Sequence, residues 1–213
     1  MDMSVTVGAG SSEEKGTGAK GADIGSGLEA WLAKVEAMGE LKRITAEVDP
    51  DLEAATLTYL VGLEKSPALL FENIKGHPGH RALYNMIGCN LSRFCLAIGE
   101  DPVDHPLEAV RLLKEKMDRK DKPKFVPAGD ALVNQNIQTG AAIDVTKFPA
   151  PRMWPLDGGK YLGTGDAVIT KDPETGRINI GPYRVMVQDK NKVSVKMNMG
   201  KHGRLAFERA RDA

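Results

Sequence analysis

The sequence has 213 residues, 41% hydrophobic and 27% charged with only 5% aromatic, a balance that describes a globular chain and excludes both a disordered polymer and an aromatic-rich nucleic-acid platform. Lysine plus arginine equals aspartate plus glutamate at 29 each, so no bulk field draws the chain to nucleic acid or to an anionic membrane, and any bound anion needs a local site. The first residues lack the apolar core of a secretory signal and no apolar run reaches membrane-spanning length, from which a cytoplasmic protein is expected. Cys89 and Cys95 are six apart, a spacing of neither a zinc knuckle nor a disulfide framework, and both read as reduced, buried thiols.

In chain order, residues 1–25 are rich in Gly, Ser, Lys and Glu, lack hydrophobic periodicity and read as a disordered tail. Ser26 and Glu29 have the spacing of a capping box, and Leu28, Trp31, Leu32, Val35 and Met38 recur on one helical face up to a stop at Gly39. Ile44, Ala46 and Val48 alternate as a strand does. Asp49-Pro50-Asp51 then opens a second helix, with Leu52, Ala55, Leu57, Leu60, Val61 and Leu63 as its apolar face. Ala68–Phe71 reads as a short buried strand, His77–His80 as a turn and Ala82–Met86 as another strand. Helices follow over Leu91–Ile98 and Pro106–Met117, the latter turning Leu107, Val110, Leu113 and Met117 inward. The charged run Lys114–Lys124, with Pro123 near its end, marks a boundary, so an α+β domain is expected over 26–122 and a second unit over 123–213.

Beyond Lys124 the texture changes to short strands separated by Gly and Pro: Ala131–Ile137, Leu162–Thr170, Arg177–Ile180, Tyr183–Gln188 and Lys192–Met197. Asp172–Gly176 is the turn of a hairpin, with Gly176 at the position that needs a positive φ. His202–Ala213 begins a helix, and the last edge of the sheet is expected to stay open.

Gly16–Gly21 spells GxGxxG, but a pyrophosphate turn needs a strand before it and a helix after it to aim backbone N–H groups, and these glycines lie in the polar tail. His77 and His80 on a Pro-Gly turn read as solvated imidazoles rather than a metal pair. Asn90-Leu91-Ser92 matches a glycosylation sequon as letters only.

The informative stretch runs from Gly158 to Gly203: Gly158-Gly159-Lys160-Tyr161, then Arg177-x-Asn179-x-Gly181-x-Tyr183-Arg184, then Gly200-Lys201-His202-Gly203. In that order and spacing these residues resemble the flavin-binding strands of the UbiD family of reversible decarboxylases, and the likeness extends faintly forward to about Gly27. The resemblance implies an α+β fold: a small α+β N-terminal domain followed by part of an FMN-binding split β-barrel. It implies a carboxy-lyase that acts reversibly and without net oxidation on an aromatic or α,β-unsaturated carboxylic acid. It further implies prenylated FMN as cofactor, its phosphate held through a divalent metal, usually Mn2+, with K+ nearby and a flavin prenyltransferase as supplier. Position by position, Asn179 and His202 match the metal ligands and Arg184 matches the arginine that meets the substrate carboxylate. Ile180, Gly181, Pro182, Tyr183 and Lys201 would line the flavin with them. The third ligand, a glutamate, and the acidic partners of Arg184 are implied beyond Ala213. The chain is therefore expected to serve as the N-terminal part of such an enzyme, in a homo-oligomer or with a complementing chain. The alternative is a non-catalytic flavin-binding or assembly subunit whose barrel a partner completes.

The residue types suit those roles. An amide oxygen and a neutral imidazole are ligands for a borderline metal, which in turn offsets phosphate charge that a neutral protein does not otherwise attract. A guanidinium grips a carboxylate through paired N–H groups and keeps its charge in a closed pocket. Asn179 and Arg184 are five apart, so on a regular strand they face opposite ways, and a turn or bulge at Gly181-Pro182 is expected to bring them to one pocket.

Overall fold

The computed structural model describes residues 27–64, 66–118 and 125–212. The expected tail over 1–25, the Gly16–Gly21 string, Ser26 of the capping box and most of the charged stretch before Lys124 lie outside the described residues.

The front unit is built around one strand. β2 (Ala68–Phe71) is buried along its whole length, the reason its sequence is a continuous apolar run rather than an alternation. It pairs in parallel with β1 (Leu41–Ile44) and antiparallel with β3 (Ala82–Tyr84). Its side chains alternate between two cores. Ala68 and Leu70 join Trp31, Leu32 and Val35 of α1 (Leu28–Ala37) with Leu41, while Leu69 and Phe71 join Val48, Ile74 and Ala54 of α2 (Glu53–Gly62). Helices α3 (Leu91–Ala97) and α4 (Pro106–Asp118) complete this part.

Several expectations need correction here. The first strand lies at Leu41–Ile44, and of the expected Ile44–Val48 run Val48 makes an isolated bridge to Ile74. Partner choice overrode alternation: Leu41 opposite Ala68 closes the core under α1, whereas Ala46 is exposed. Of the expected apolar face of α2, Ala55 is buried and Val61 packs against the second core, but Leu60 is 54% and Leu63 66% exposed, and Ala54 is buried as well. Likewise α4 buries Ala109 and leaves Leu107, Val110 and Met117 exposed. Gly27 is the N-cap of α1, and Glu29, the described half of the expected capping box, pairs with Arg81 at 2.8 Å. Cys95 is buried but Cys89 is exposed. Asn90 caps α3, its side-chain oxygen accepting from the Arg93 N–H at 2.8 Å, which accounts for an asparagine there without any glycan.

The second sheet is a meander of β4 (Tyr161–Lys171), β5 (Ile178–Asp189) and β6 (Lys192–Lys196). The expected strand over Ala131–Ile137 is absent, replaced by a 3-10 turn at Leu132–Asn134. Gly176 in the β4–β5 turn does take a positive φ of 69°. The two parts touch through Asp51, whose carboxylate meets Arg152 at 2.8 Å, and through Leu52, whose N–H donates to the Arg152 carbonyl at 2.9 Å. Leu52 carries a φ of 73° at the start of α2, a conformation that an L residue holds only when its surroundings fix it.

Candidate functional site

β5 is one unbroken strand through Gly181 and Pro182, not the two strands expected. Its register with β4 is regular from Ile178 to Tyr183, and the irregularities lie in β4, between Tyr161 and Gly163 and between Gly163 and Asp166. The bulge expected at Gly181-Pro182 is thus on the neighbouring strand, opposite Tyr183 to Val185. β6 pairs with Arg184 to Asp189 only. The front half of β5 therefore has β4 on one side and, among the described residues, no strand on the other. A proline without an N–H sits there at no cost to a ladder.

That open half-edge forms one wall of a cleft of about 570 Å³. Asn179, Ile180, Gly181, Pro182, Tyr183 and Arg184 line it from β5, and Lys201 and His202 line it from the start of α5 (His202–Asp212). All eight residues singled out from the sequence meet at this one place, and the cleft reaches both faces because the strand edge itself borders it. Asn179 and His202 also line a smaller adjoining cavity with Asp172, Arg177 and Arg209. Asn179 donates its amide N–H to the Thr170 hydroxyl at 3.3 Å, which leaves the amide oxygen to accept or coordinate.

Three lining residues were missed: Thr164, Lys196 and Asn198. Lys196 stands directly opposite Arg184 in the β5–β6 ladder, so two cations share one face where like charges repel. Only the hairpin register reveals that pairing. The site's other tie is electrostatic. Burial works to raise the Asp172 carboxyl, but the backbone N–H groups of Thr175 and Glu174 and the Arg209 guanidinium together hold it below the usual carboxylate range. This fixes the last turn of α5 to the β4–β5 turn.

A metal-bridged phosphate fits this donor set: one amide oxygen, one imidazole, and the cations Arg184, Lys196 and Lys201 around a single cleft. Among the described residues no three His, Cys, Asp or Glu cluster for a metal. Outside the cleft, His77 Nδ1 lies 2.9 Å from the Lys147 carbonyl, and the His80 ring packs edge-on against Phe148 at 6.0 Å. A second, more apolar cavity of about 460 Å³ lies between β3, residues 148–151 and the start of β4, sharing Thr164 with the cleft.

An α+β front unit joined to a sheet with a basic, open-edged cleft is the arrangement that the sequence resemblance implies, and comparison with known proteins agrees with it. The family model for the 3-octaprenyl-4-hydroxybenzoate carboxy-lyase N-terminal domain matches residues 32–113, and that for the Rift-related domain of the same carboxy-lyase matches residues 124–213. The chain belongs to the UbiD family. It is 34% identical over 189 residues to the uncharacterized protein sll0936 of Synechocystis, which covers 79% of this chain and 36% of that one. Among solved structures it resembles an evolved dimeric form of the UbiD-class enzyme HmfF from Pelotomaculum thermopropionicum in complex with prFMN, at 26% identity and a TM-score of 0.75, over 87% of this chain and 41% of that one. It also resembles the closed form of vanillic acid decarboxylase from Sedimentibacter hydroxybenzoicus, at 26% identity and a TM-score of 0.80, over 90% and 41%. The chain thus spans well under half the length of these relatives. No helix among the described residues is long and apolar enough to cross a membrane.

Proposed function

We propose that this chain holds the phosphate end of prenylated FMN in its cleft and, within the protein it forms, takes part in reversible non-oxidative decarboxylation of an aromatic or α,β-unsaturated carboxylic acid. The observation that carries this reading is the convergence of Asn179 and Arg184 from β5 with Lys201 and His202 from the start of α5 on one cleft. The prFMN-bound HmfF neighbour supports the cofactor. Asn179 and His202 would hold a divalent metal such as Mn2+, and Lys201 the phosphate beside it. K+ nearby, and a flavin prenyltransferase as supplier, belong to the same reading. The modified flavin, when bound, supplies the electron sink for the pair left as the carbon–carboxylate bond breaks. Arg184 orients the acid by gripping its carboxylate. The domain division at 122/123 is part of the proposal, supported by the separation of the two family matches.

Replacing Arg184 with lysine keeps the charge and loses the planar fork. In the protein that carries this segment, Arg184→Lys should keep its flavin yet release carbon dioxide from aromatic acids at least about a hundredfold more slowly, the scale of lost orientation. Unchanged turnover at full flavin occupancy would remove Arg184 from the active site. A second reading, a flavin-binding or assembly subunit, is favoured by the open front edge of β5, which a strand from a homo-oligomer or complementing chain would cover. Flavin retention without turnover when Arg184 is intact would select it.

A further inference from the structure

Tyr183 links the two elements that carry the proposed metal ligands. Its ring lies between two glycines: a Cβ added to Gly181 would stand 2.5 Å from the ring, and one on Gly203 would stand 2.5 Å from the hydroxyl. Neither position accepts a side chain unless the tyrosine or the backbone moves. The hydroxyl accepts the Gly203 N–H at 3.2 Å. That N–H belongs to the first turn of α5, where backbone donors have no intrahelical acceptor, and the residue before it is His202. Asn179 precedes Tyr183 by four positions on the same strand, and therefore on the same face. The contact is thus a direct bridge between the strand bearing Asn179 and the helix turn bearing His202. The far end of α5 is tied separately, by Arg209 to Asp172 and, at 3.6 Å, to Glu174.

We propose that Tyr183 is a positioning residue: its hydroxyl fixes the first turn of α5 so that His202 stays beside Asn179 along the cleft. The inference rests on the metal reading above for what the pair holds, while the positioning itself is testable without metal. A tyrosine that only filled space would be replaced silently by phenylalanine. A tyrosine that positions would not, because the ring remains and only the acceptor for Gly203 is lost.

The experiment is NMR on the full chain, parent against Tyr183→Phe, in two arms. Without metal, the Gly203 amide should exchange about fivefold faster in the variant, the factor expected for one neutral hydrogen bond. With Mn2+ titrated in, paramagnetic broadening at the His202 ring should need about fivefold more metal in the variant, at a thermal midpoint close to the parent's. Gly203→Ala should be severe in the parent and milder in the Tyr183→Phe background, since removing the hydroxyl relieves the closest clash. Equal Gly203 exchange in parent and variant would overturn the positioning role. A parent whose His202 ring ignores Mn2+ would instead sink the metal reading, and the exchange arm would still decide the role of Tyr183.

Discussion

Arg93 is fully buried, and each face of its guanidinium is matched. Its Nε donates to the Met86 carbonyl at 3.1 Å, its Nη1 to the Glu40 carboxylate at 2.8 Å, and its Nη2 to the Ser66 carbonyl. Gly88, at a φ of 56°, leaves room for it: a Cβ there would stand 2.9 Å from Nη2. Glu40 keeps 31% side-chain exposure, so Arg93→Met chiefly removes the donors shared by Met86, Glu40 and Ser66 and should destabilise the chain by about 2 kcal/mol. Denaturant unfolding reads this directly, and a variant within about 1 kcal/mol of the parent would mean that apolar packing compensates. Nothing in the sequence marks Arg93 as buried, because its three partners, Glu40, Ser66 and Met86, come from separate segments. Asn179, Arg184 and His202 were legible for the opposite reason: their order and spacing lie in one stretch. Lys196 was not, since its place opposite Arg184 depends on a register that the β5–β6 turn sets.

At the scale of elements, helices were read more accurately in position than in facing. The leucines of α2 and α4 recur at helical spacing, yet the residues buried are alanines: Ala54 of α2 packs in the core with Leu69 and Phe71, and Ala109 is buried on α4. Strand misreadings were of a different kind. Gly181-Pro182 looks like a break, but an edge without a neighbour makes no demand on the missing proline N–H, and β5 runs through it. The same hairpin gives a pH prediction. Asp172, at 16% side-chain exposure, is held below its ordinary pKa of 3.8 by the turn N–H groups and Arg209, against a burial effect that raises it. A depressed folded-state pKa contributes stability that is present above the unfolded value and is lost as pH falls through the folded value. Thermal midpoints of parent and Asp172→Asn should therefore differ at neutral pH and converge on acidification below about pH 4. A gap that stays constant across that range would contradict the role given to Asp172.

At the scale of the whole molecule, the contacts that join the front unit to the segment leading into the sheet include Asp51 and Leu52 on Arg152, His77 on the Lys147 carbonyl, His80 against Phe148, and Tyr59 edge-on to Trp154 at 5.8 Å. None of these contacts was visible in the sequence, where the partners lie about a hundred residues apart or come from segments without periodicity. The cleft lies on the open edge of β5 and shares Thr164 with the apolar cavity between β3 and the start of β4. The central claim is that Asn179 and His202 hold a metal that retains flavin phosphate. Calorimetric titration of the chain with FMN, with Mn2+ present or with a chelator, in parent and His202→Ala, tests it most directly. The account predicts Mn2+-dependent FMN binding in the parent that the chelator and the substitution each abolish, and FMN affinity that is equal in parent and variant, with and without chelator, would contradict it.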